Sequence, residues 1–191
     1  NPFVEMLWER GTIYETEVIA RVGQDALDLS ALTGDEKERA TREAIARQVP
    51  LIYSGRLSDH ELLGVPDLLR LENGGYVAID IKSGAGAEFA SDDESDEAPA
   101  KPKKTYGVQL ALYTDLLSRL GVSAGWYGYI WDVYGAEVRY ELMSPLGPRS
   151  RSLWDIYLES RQAVGEALRR PDVTRPAMAS RCRCARSSMV W

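Results

Sequence analysis

Apolar positions recur along the chain at helical spacing in some stretches and at strand spacing in others. Four stretches have helical spacing and end near Gly or Pro. The first is opened by a capping Asn1 and by Pro2, which suits a first helical turn. The predicted helices are this opening segment, Asp35–Gln48, Tyr106–Leu120 and about Leu153–Arg169.

Five shorter stretches have the apolar content and alternation of β-strands. Pro66 predicts a bend within the second of them, and Asn73-Gly74-Gly75 supplies a tight turn before the third. The resulting order, α, α, β, β, β, α, β, β, α, predicts an α/β fold with a mixed central sheet flanked by helices. The predicted strands are Leu51–Leu57, Leu62–Leu71, Tyr76–Lys82, Gly125–Tyr134 and Glu137–Met143.

The length of 191 residues suits one domain, and we expect residues 1–191 to form it. A segment at about 86–104 is rich in Ser, Asp, Glu, Ala, Pro and Lys, and this composition predicts a flexible acidic insertion. The end of the chain, at about 171–191, lacks periodicity and is predicted to be an irregular tail.

The net charge of −6 is unevenly distributed. Residues 88–97 hold six acidic residues and no basic one, whereas Arg139–Trp191 holds ten Arg and five acidic residues. This asymmetry allows a basic face that contacts phosphate beside a solvated acidic loop. An Arg-rich helix that merely faces solvent is an equally good interpretation.

The sequence gives no sign of a membrane segment or of a secretory signal. No apolar run approaches the roughly 20 residues that cross a bilayer, and charged residues occur within the first ten positions. Cys182 and Cys184 are the only cysteines, too few for a disulfide framework, so a reducing cytoplasmic location is expected. Because the sequence begins at Asn1 without an initiator Met, we expect a processed product or an excised domain.

Two acidic residues stand on neighbouring predicted strands. Asp67 precedes the Asn-Gly-Gly turn and Asp80 follows it, so antiparallel pairing about the turn brings the two carboxylates near one another. Carboxylates so close repel unless one is protonated or both hold a cation. Oxygen ligands without a His cluster favour Mg2+ or Mn2+ over zinc.

Lys82 lies two residues after Asp80, and strand alternation therefore points both side chains to the same face. A lysine there can position or deprotonate an attacking water, or stabilise charge that develops on phosphorus oxygens. The intervening Ile81 is predicted to bury its side chain and to offer its backbone carbonyl to a metal.

Four short motifs occur in a characteristic order: Gly11-Thr12-Ile13-Tyr14-Glu15, Gly64-Val65-Pro66-Asp67, Asp80-Ile81-Lys82-Ser83-Gly84 and Gln109-Leu110-Ala111-Leu112-Tyr113. Together they resemble the RecB-like exonuclease branch of the PD-(D/E)XK nuclease superfamily. That branch includes the nuclease domains of RecB and AddB and the RecB-like CRISPR-associated exonucleases. The resemblance covers about residues 3–120 and implies a restriction-endonuclease-like core.

The resemblance implies a role for each matching residue. Asp67, Asp80 and the Ile81 carbonyl would be metal ligands, and Lys82 would be the catalytic lysine. Glu15 would be the acid of the first helix that reaches the metal. The remaining two, Gln109 and Tyr113, match a QxxxY motif that orients the lysine and the DNA backbone.

Some of these assignments have rivals in the sequence itself. Glu17 competes with Glu15, and Gln109 and Tyr113 have the spacing of ordinary residues beside an apolar helix face. His60 lies in a polar Ser-Asp-His-Glu stretch, which favours a surface turn over a ligand. The aromatic residues of the later strands could stack bases, although at least half are expected in the core: Trp126, Tyr127, Tyr129, Trp131 and Tyr134.

The chain departs from the branch in two respects. Tyr14 stands where many relatives have a His that ligates the metal, which leaves the choice between Mg2+ and Mn2+ open. Many relatives also hold an iron–sulfur cluster through one early and three late cysteines. Only Cys182 and Cys184 are present, so no cluster is expected within this chain.

The resemblance implies a metal-dependent deoxyribonuclease, an exonuclease on single-stranded ends that serves DNA repair, recombination or CRISPR-type defence. The partner would be DNA with single-stranded or duplex ends, and the domain could work inside a larger helicase–nuclease or CRISPR-adaptation assembly. The rival hypothesis is a catalytically silent module that binds nucleic acid or joins a complex. The intact Asp67, Asp80 and Lys82 argue against it, since a silent copy does not need a costly carboxylate pair.

Overall fold

The helices of the fold lie on the flanks of one large sheet. The structure is a computed structural model and describes residues 25–88 and 101–169. Its helices are α1 (Gly34–Ala46), α2 (Lys104–Arg119) and α3 (Leu153–Arg169). The bounds of α3 agree with the prediction, whereas α2 begins two residues before the predicted Tyr106. The predicted opening helix lies outside the described residues.

Ten short strands are present in the described part of the chain. They are β1 (Leu27–Asp28), β2 (Leu51–Tyr53), β3 (Leu57–Asp59), β4 (Leu62–Gly64), β5 (Leu68–Glu72), β6 (Gly75–Ile81), β7 (Ala87–Glu88), β8 (Lys101–Pro102), β9 (Tyr127–Trp131) and β10 (Glu137–Glu141).

Six of these strands form the central sheet, in the order β1-β2-β5-β6-β9-β10. The pairs β2–β5, β5–β6 and β9–β10 are antiparallel, and β1–β2 and β6–β9 are parallel. A parallel neighbour requires a crossover, and α2 lies in the connection between β6 and β9. The prediction of an α/β fold with a mixed sheet flanked by helices is confirmed.

The central strand β6 is buried along its whole length. Ala78 packs on the α2 side with Leu110 and Leu116, whereas Val77 and Ile79 pack on the opposite face. The predicted alternation along this strand is therefore confirmed. Because both faces are covered, any polar side chain on β6 must find its partners inside the protein.

Two predicted strands are each divided in the structure. Leu51–Leu57 contains β2 and the start of β3, separated at Ser54, whose φ of 56° takes the chain out of the strand conformation. Leu62–Leu71 contains β4 and β5, which belong to different sheets and are separated around Pro66. The bend predicted from this proline is thus a complete break in the strand.

Strands β3 and β4 form a hairpin that packs against α2. Its turn contains His60, which is exposed, in agreement with the structural interpretation of that residue. Gly64 permits the close approach of the hairpin to α2, because a Cβ there would lie 2.8 Å from Cδ1 of Tyr113.

Two short strands lie within the two ends of the segment predicted to be an acidic insertion, at about 86–104. β7 and β8 pair antiparallel, with Ala87 opposite Pro102 and Glu88 opposite Lys101. Residues 89–100 lie outside the described residues, as does the predicted tail at 171–191 with Cys182 and Cys184. No described helix is long and apolar enough to span a membrane.

The aromatic residues of the later strands divide between core and surface. Tyr127 and Tyr129 are buried, and Trp131 packs partly buried against the same cluster. Trp126 is partly exposed and contacts Trp154 edge-on, with ring centroids 4.6 Å apart. Tyr134 is the most exposed of the five, at 76%. The expectation that at least half of them are core residues is therefore confirmed.

Helices α2 and α3 are joined by polar and apolar contacts. The buried Asp115 of α2 accepts hydrogen bonds from the Tyr157 hydroxyl at 2.6 Å and from Arg161 at 2.8 Å. Gly107 lies against Leu153, where an added Cβ would come within 2.5 Å of Cδ2. The two helices consequently pack at a distance that only glycine permits at this point.

We expect Gly107→Ala to lower the free energy of unfolding by about 1–3 kcal/mol, because the new methyl group overlaps Leu153. The matched control is Gly165→Ala in α3, where the nearest atom to an added Cβ is Arg169 Nη2 at 3.8 Å. The control should be neutral or stabilising by up to about 1 kcal/mol. Chemical denaturation measures both, and equal effects would contradict the packing argument.

Candidate active site

The loop between β4 and β5 places Asp67 beside the end of β6. In the β5–β6 register Leu68 lies opposite Ile79, and one further residue sets Asp67 opposite Asp80. The Asp67 carboxylate accepts a hydrogen bond from the backbone N–H of Ile81, with Oδ2 2.6 Å from the nitrogen. Its backbone carbonyl accepts the N–H of Ser54 at 2.8 Å. Asp67 is therefore tied to both neighbouring strands.

Asp80 lies on the α2 side of β6, with only 2% of its surface exposed. Its Oδ1 accepts a hydrogen bond from Nε2 of Gln109 at 3.3 Å, and its Oδ2 forms an ion pair with the Lys82 ammonium. An isolated buried carboxylate would be strongly destabilised. Lys82 supplies the compensating positive charge from the same strand end.

Lys82 follows β6 directly, and its backbone N–H donates to the Trp131 carbonyl at 2.8 Å. Burial alone would lower the pKa of its ammonium. The negative charges of Asp80 and Asp67 outweigh this effect, and the pKa of Lys82 is raised above its usual value. The side chain is thus held as a cation, with 24% of its surface exposed.

Gln109 and Tyr113 connect α2 to both aspartate-bearing segments. The Gln109 amide donates to the Tyr113 hydroxyl at 2.8 Å, and that hydroxyl donates to the Val65 carbonyl at 3.3 Å. Burial, together with the nearby Asp80 and Asp67, raises the pKa of Tyr113 well above its usual value. The neutral phenol therefore remains a hydrogen-bond donor beside two carboxylates.

The predicted metal ligands differ in how far the structure describes them. Asp67 and Asp80 are adjacent through the strand register, and Ile81 between Asp80 and Lys82 buries its side chain on the opposite face. The Glu15 position, like its rival Glu17, lies outside the described residues. Within 25–88 and 101–169 no group of three or more His, Cys, Asp or Glu side chains could hold a metal ion.

The donor set is compatible with a hard divalent cation. Two carboxylates and a backbone carbonyl at one strand end are oxygen donors of the kind that Mg2+ prefers. The buried Asp80 carboxylate also requires a positive charge, which Lys82 provides in this structure.

Sequence reasoning missed one aromatic residue of the site. Tyr106 lies three residues before Gln109 on α2, and its ring lies near the Lys82 ammonium, which is 5.5 Å from the ring centroid. The signal was available, because residues at i and i+3 share a helix face and Gln109 already pointed to this face.

The chain is similar to a known protein family. The family model described as the PD-(D/E)XK nuclease superfamily matches residues 4–186. No curated protein matches the chain. The match covers nearly the whole chain and is made at the level of the superfamily, without selecting the RecB-like branch.

We expect Lys82→Met to destabilise the protein in metal-free buffer by about 1–3 kcal/mol, because the buried Asp80 carboxylate would lose its charge partner. The double variant Asp80→Asn with Lys82→Met removes both charges and should recover most of that loss. Urea denaturation in the presence of a chelator measures both variants. A double variant no more stable than Lys82→Met would contradict the proposed charge compensation.

Proposed function

We propose a specific activity for this chain. The chain belongs to the PD-(D/E)XK nuclease superfamily. By that membership it is a metal-dependent nuclease that acts on nucleic acid. The proposed activity is hydrolysis of DNA phosphodiester bonds by an exonuclease that acts on single-stranded ends. The observation that carries the proposal is the buried Asp80, paired with Lys82 two residues later and opposite Asp67 in the strand register.

The proposed metal ligands are Asp67, Asp80, the Ile81 carbonyl and Glu15. All four offer oxygen atoms, which supports Mg2+, with Mn2+ as the alternative. When bound, a divalent cation neutralises phosphate charge and acts as a Lewis acid on the phosphoryl oxygens. No iron–sulfur cluster is proposed, because the chain has only two cysteines.

Lys82 has the position and charge of an electrostatic catalyst. Its ammonium lies at the same strand end as both carboxylates and keeps its proton through their attraction. A cation fixed there stabilises the negative charge that develops on the phosphoryl oxygens and can hydrogen-bond an attacking water. Because its position depends on Asp80, loss of either residue should impair this function.

Gln109 and Tyr113 are proposed to orient the site rather than to carry out chemistry. Their hydrogen-bond chain fixes α2 relative to Asp80 and to the Val65 carbonyl, two residues before Asp67. A change in either side chain would therefore shift the relative positions of the two carboxylates.

The finer parts of the proposal rest on the motif resemblance. The order of the four motifs supports the RecB-like branch, single-stranded ends, and a role in DNA repair, recombination or CRISPR-type defence. It likewise supports work within a helicase–nuclease or CRISPR-adaptation assembly. The silent binding module remains the rival, and the cleavage measurements on wild type and Lys82→Ala distinguish the two functions.

Labelled single-stranded and duplex DNA should be cleaved by the wild-type protein with Mg2+ or Mn2+ and left intact with a chelator. Lys82→Ala and Asp80→Asn should each reduce the cleavage rate roughly 100-fold or more. The first removes a cation that stabilises the transition state, and the second removes a proposed metal ligand and the ion-pair partner of Lys82. The matched control is Lys101→Ala, which removes an exposed lysine from β8 and should cleave at the wild-type rate.

A circular single-stranded DNA distinguishes the two modes of cleavage, since an exonuclease leaves it intact. Its cleavage would contradict the exonuclease proposal. Absence of cleavage of every substrate in both ions, or equal cleavage by wild type and Lys82→Ala, would overturn the enzymatic proposal in favour of the binding module.

Metal binding has a readout that does not depend on activity. Mg2+ should raise the thermal unfolding midpoint of the wild-type protein, because a ligand that binds only the folded state stabilises it. Asp80→Asn should lose most of this Mg2+-dependent increase. Differential scanning calorimetry measures the unfolding midpoint. An equal Mg2+-dependent increase in both proteins would place the bound ion elsewhere.

A further inference from the structure

The Tyr106 ring is shared by two lysine side chains. The Lys82 ammonium lies 5.5 Å and the Lys103 ammonium 5.1 Å from the ring centroid, both within cation–π distance. A Cβ at Gly84 would contact the Tyr106 hydroxyl at 3.7 Å, so the phenol also reaches the chain just after Lys82. Tyr106 thus links the site lysine to a second cation.

The backbone of Lys103 is fixed relative to the chain segment that follows Lys82. Its N–H donates to the Tyr140 hydroxyl at 3.0 Å, and that hydroxyl donates to the Gly86 carbonyl at 2.5 Å. Tyr140 is fully buried, and the Gly86 N–H is itself bound by the Asp132 carboxylate at 2.9 Å. The Lys103 side chain therefore starts from an anchored position.

The two lysines differ in their negative partners. Lys82 is paired with Asp80, whereas Lys103 makes no ion pair with any carboxylate in the parts of the chain that the structure describes. Two ammonium groups around one ring repel each other, and an anion between or beside them relieves this repulsion. Among the described residues, Lys103 is thus a cation without a carboxylate partner, and it lies next to the proposed active site.

We propose that Lys103 binds a backbone phosphate of the DNA next to the scissile bond, and that Tyr106 is a positioning residue that holds both Lys103 and Lys82. This inference rests on the proposed nuclease function. A lysine contact to phosphate contributes affinity without sequence preference, because the ammonium acts as a point charge. Lys103 therefore increases affinity for substrate, and Lys82 serves the chemical step.

The test compares Lys103→Gln with Lys104→Gln, an exposed neighbour with the same charge. Lys103→Gln should raise the KM for a single-stranded oligonucleotide roughly three- to tenfold with kcat within about twofold. Fluorescence anisotropy with Ca2+ replacing Mg2+ measures the DNA affinity of Lys103→Gln at several salt concentrations. The magnitude of the negative slope of log affinity against log salt concentration should be about 0.7 smaller than in the wild type. Lys104→Gln should match the wild type in both measurements.

The role of Tyr106 is tested by a conservative pair of variants. Tyr106→Leu removes the ring and should raise KM roughly two- to fivefold while also lowering kcat, since it contacts both lysines. Tyr106→Phe keeps the ring and should restore both values to within about twofold of wild type. Thermal unfolding of each variant shows whether the fold is retained.

The outcomes separate this inference from the proposed function. If the wild type cleaves DNA but Lys103→Gln and Lys104→Gln behave alike, the Lys103 contact is overturned and the nuclease function stands. If Tyr106→Phe is as impaired as Tyr106→Leu, positioning by the ring is overturned. If the wild type fails to cleave, the nuclease function is overturned, and the anisotropy comparison still decides whether Lys103 contacts phosphate.

Discussion

The Asp80 carboxylate lies in a strand that is covered on both faces, and the surrounding structure depends on how its charge is balanced. Water cannot solvate it, so its charge is balanced by the Lys82 ammonium, and its Oδ1 accepts a hydrogen bond from the Gln109 amide. A charge held in this way is poorly screened and acts strongly on its neighbours. Burial raises the pKa of Tyr113 and the Asp80 charge adds to this effect, whereas at Lys82 burial lowers the pKa and the Asp80 charge outweighs it.

Helix α2 is the element that brings the other groups to this charge. It crosses between β6 and its parallel neighbour β9, so it covers the face of the sheet on which Asp80 lies. Glycines at 64 and 107 allow the β3–β4 hairpin and α3 to approach it closely. Sheet topology and packing therefore fix the Gln109 and Tyr113 side chains, whose hydrogen bonds then bridge Asp80 and the loop before β5.

Much of this arrangement could be predicted from local patterns. The alternation that includes Val77 and Ile79 predicted which residues of β6 lie on each face of the sheet. The Asn-Gly-Gly turn predicted the register that sets Asp67 opposite Asp80. Local patterns could not show the break at Ser54, which depends on a positive φ, or the near-complete burial of Asp80. The burial of Asp80 depends on which element packs on its face of the strand. The alternation of residues within one strand does not show which element that is. The i, i+3 spacing from Gln109 indicated the helix face of Tyr106, but its contact with Lys82 joins residues distant in sequence.

The pairing of β7 with β8 closes the base of the connection between β6 and α2, and the buried Tyr140 fastens the same two chain segments together at Gly86 and Lys103. The chain positions on either side of residues 89–100 are therefore held close together by these contacts. Loop-closure entropy changes by only about 0.6 kcal/mol for each doubling of loop length. We therefore expect insertions or deletions in that stretch to have little effect on the positions of Lys82 and Tyr106. That stretch is therefore a position where sequences can differ in length, or accept a foreign peptide, while β6 and α2 keep their relative geometry.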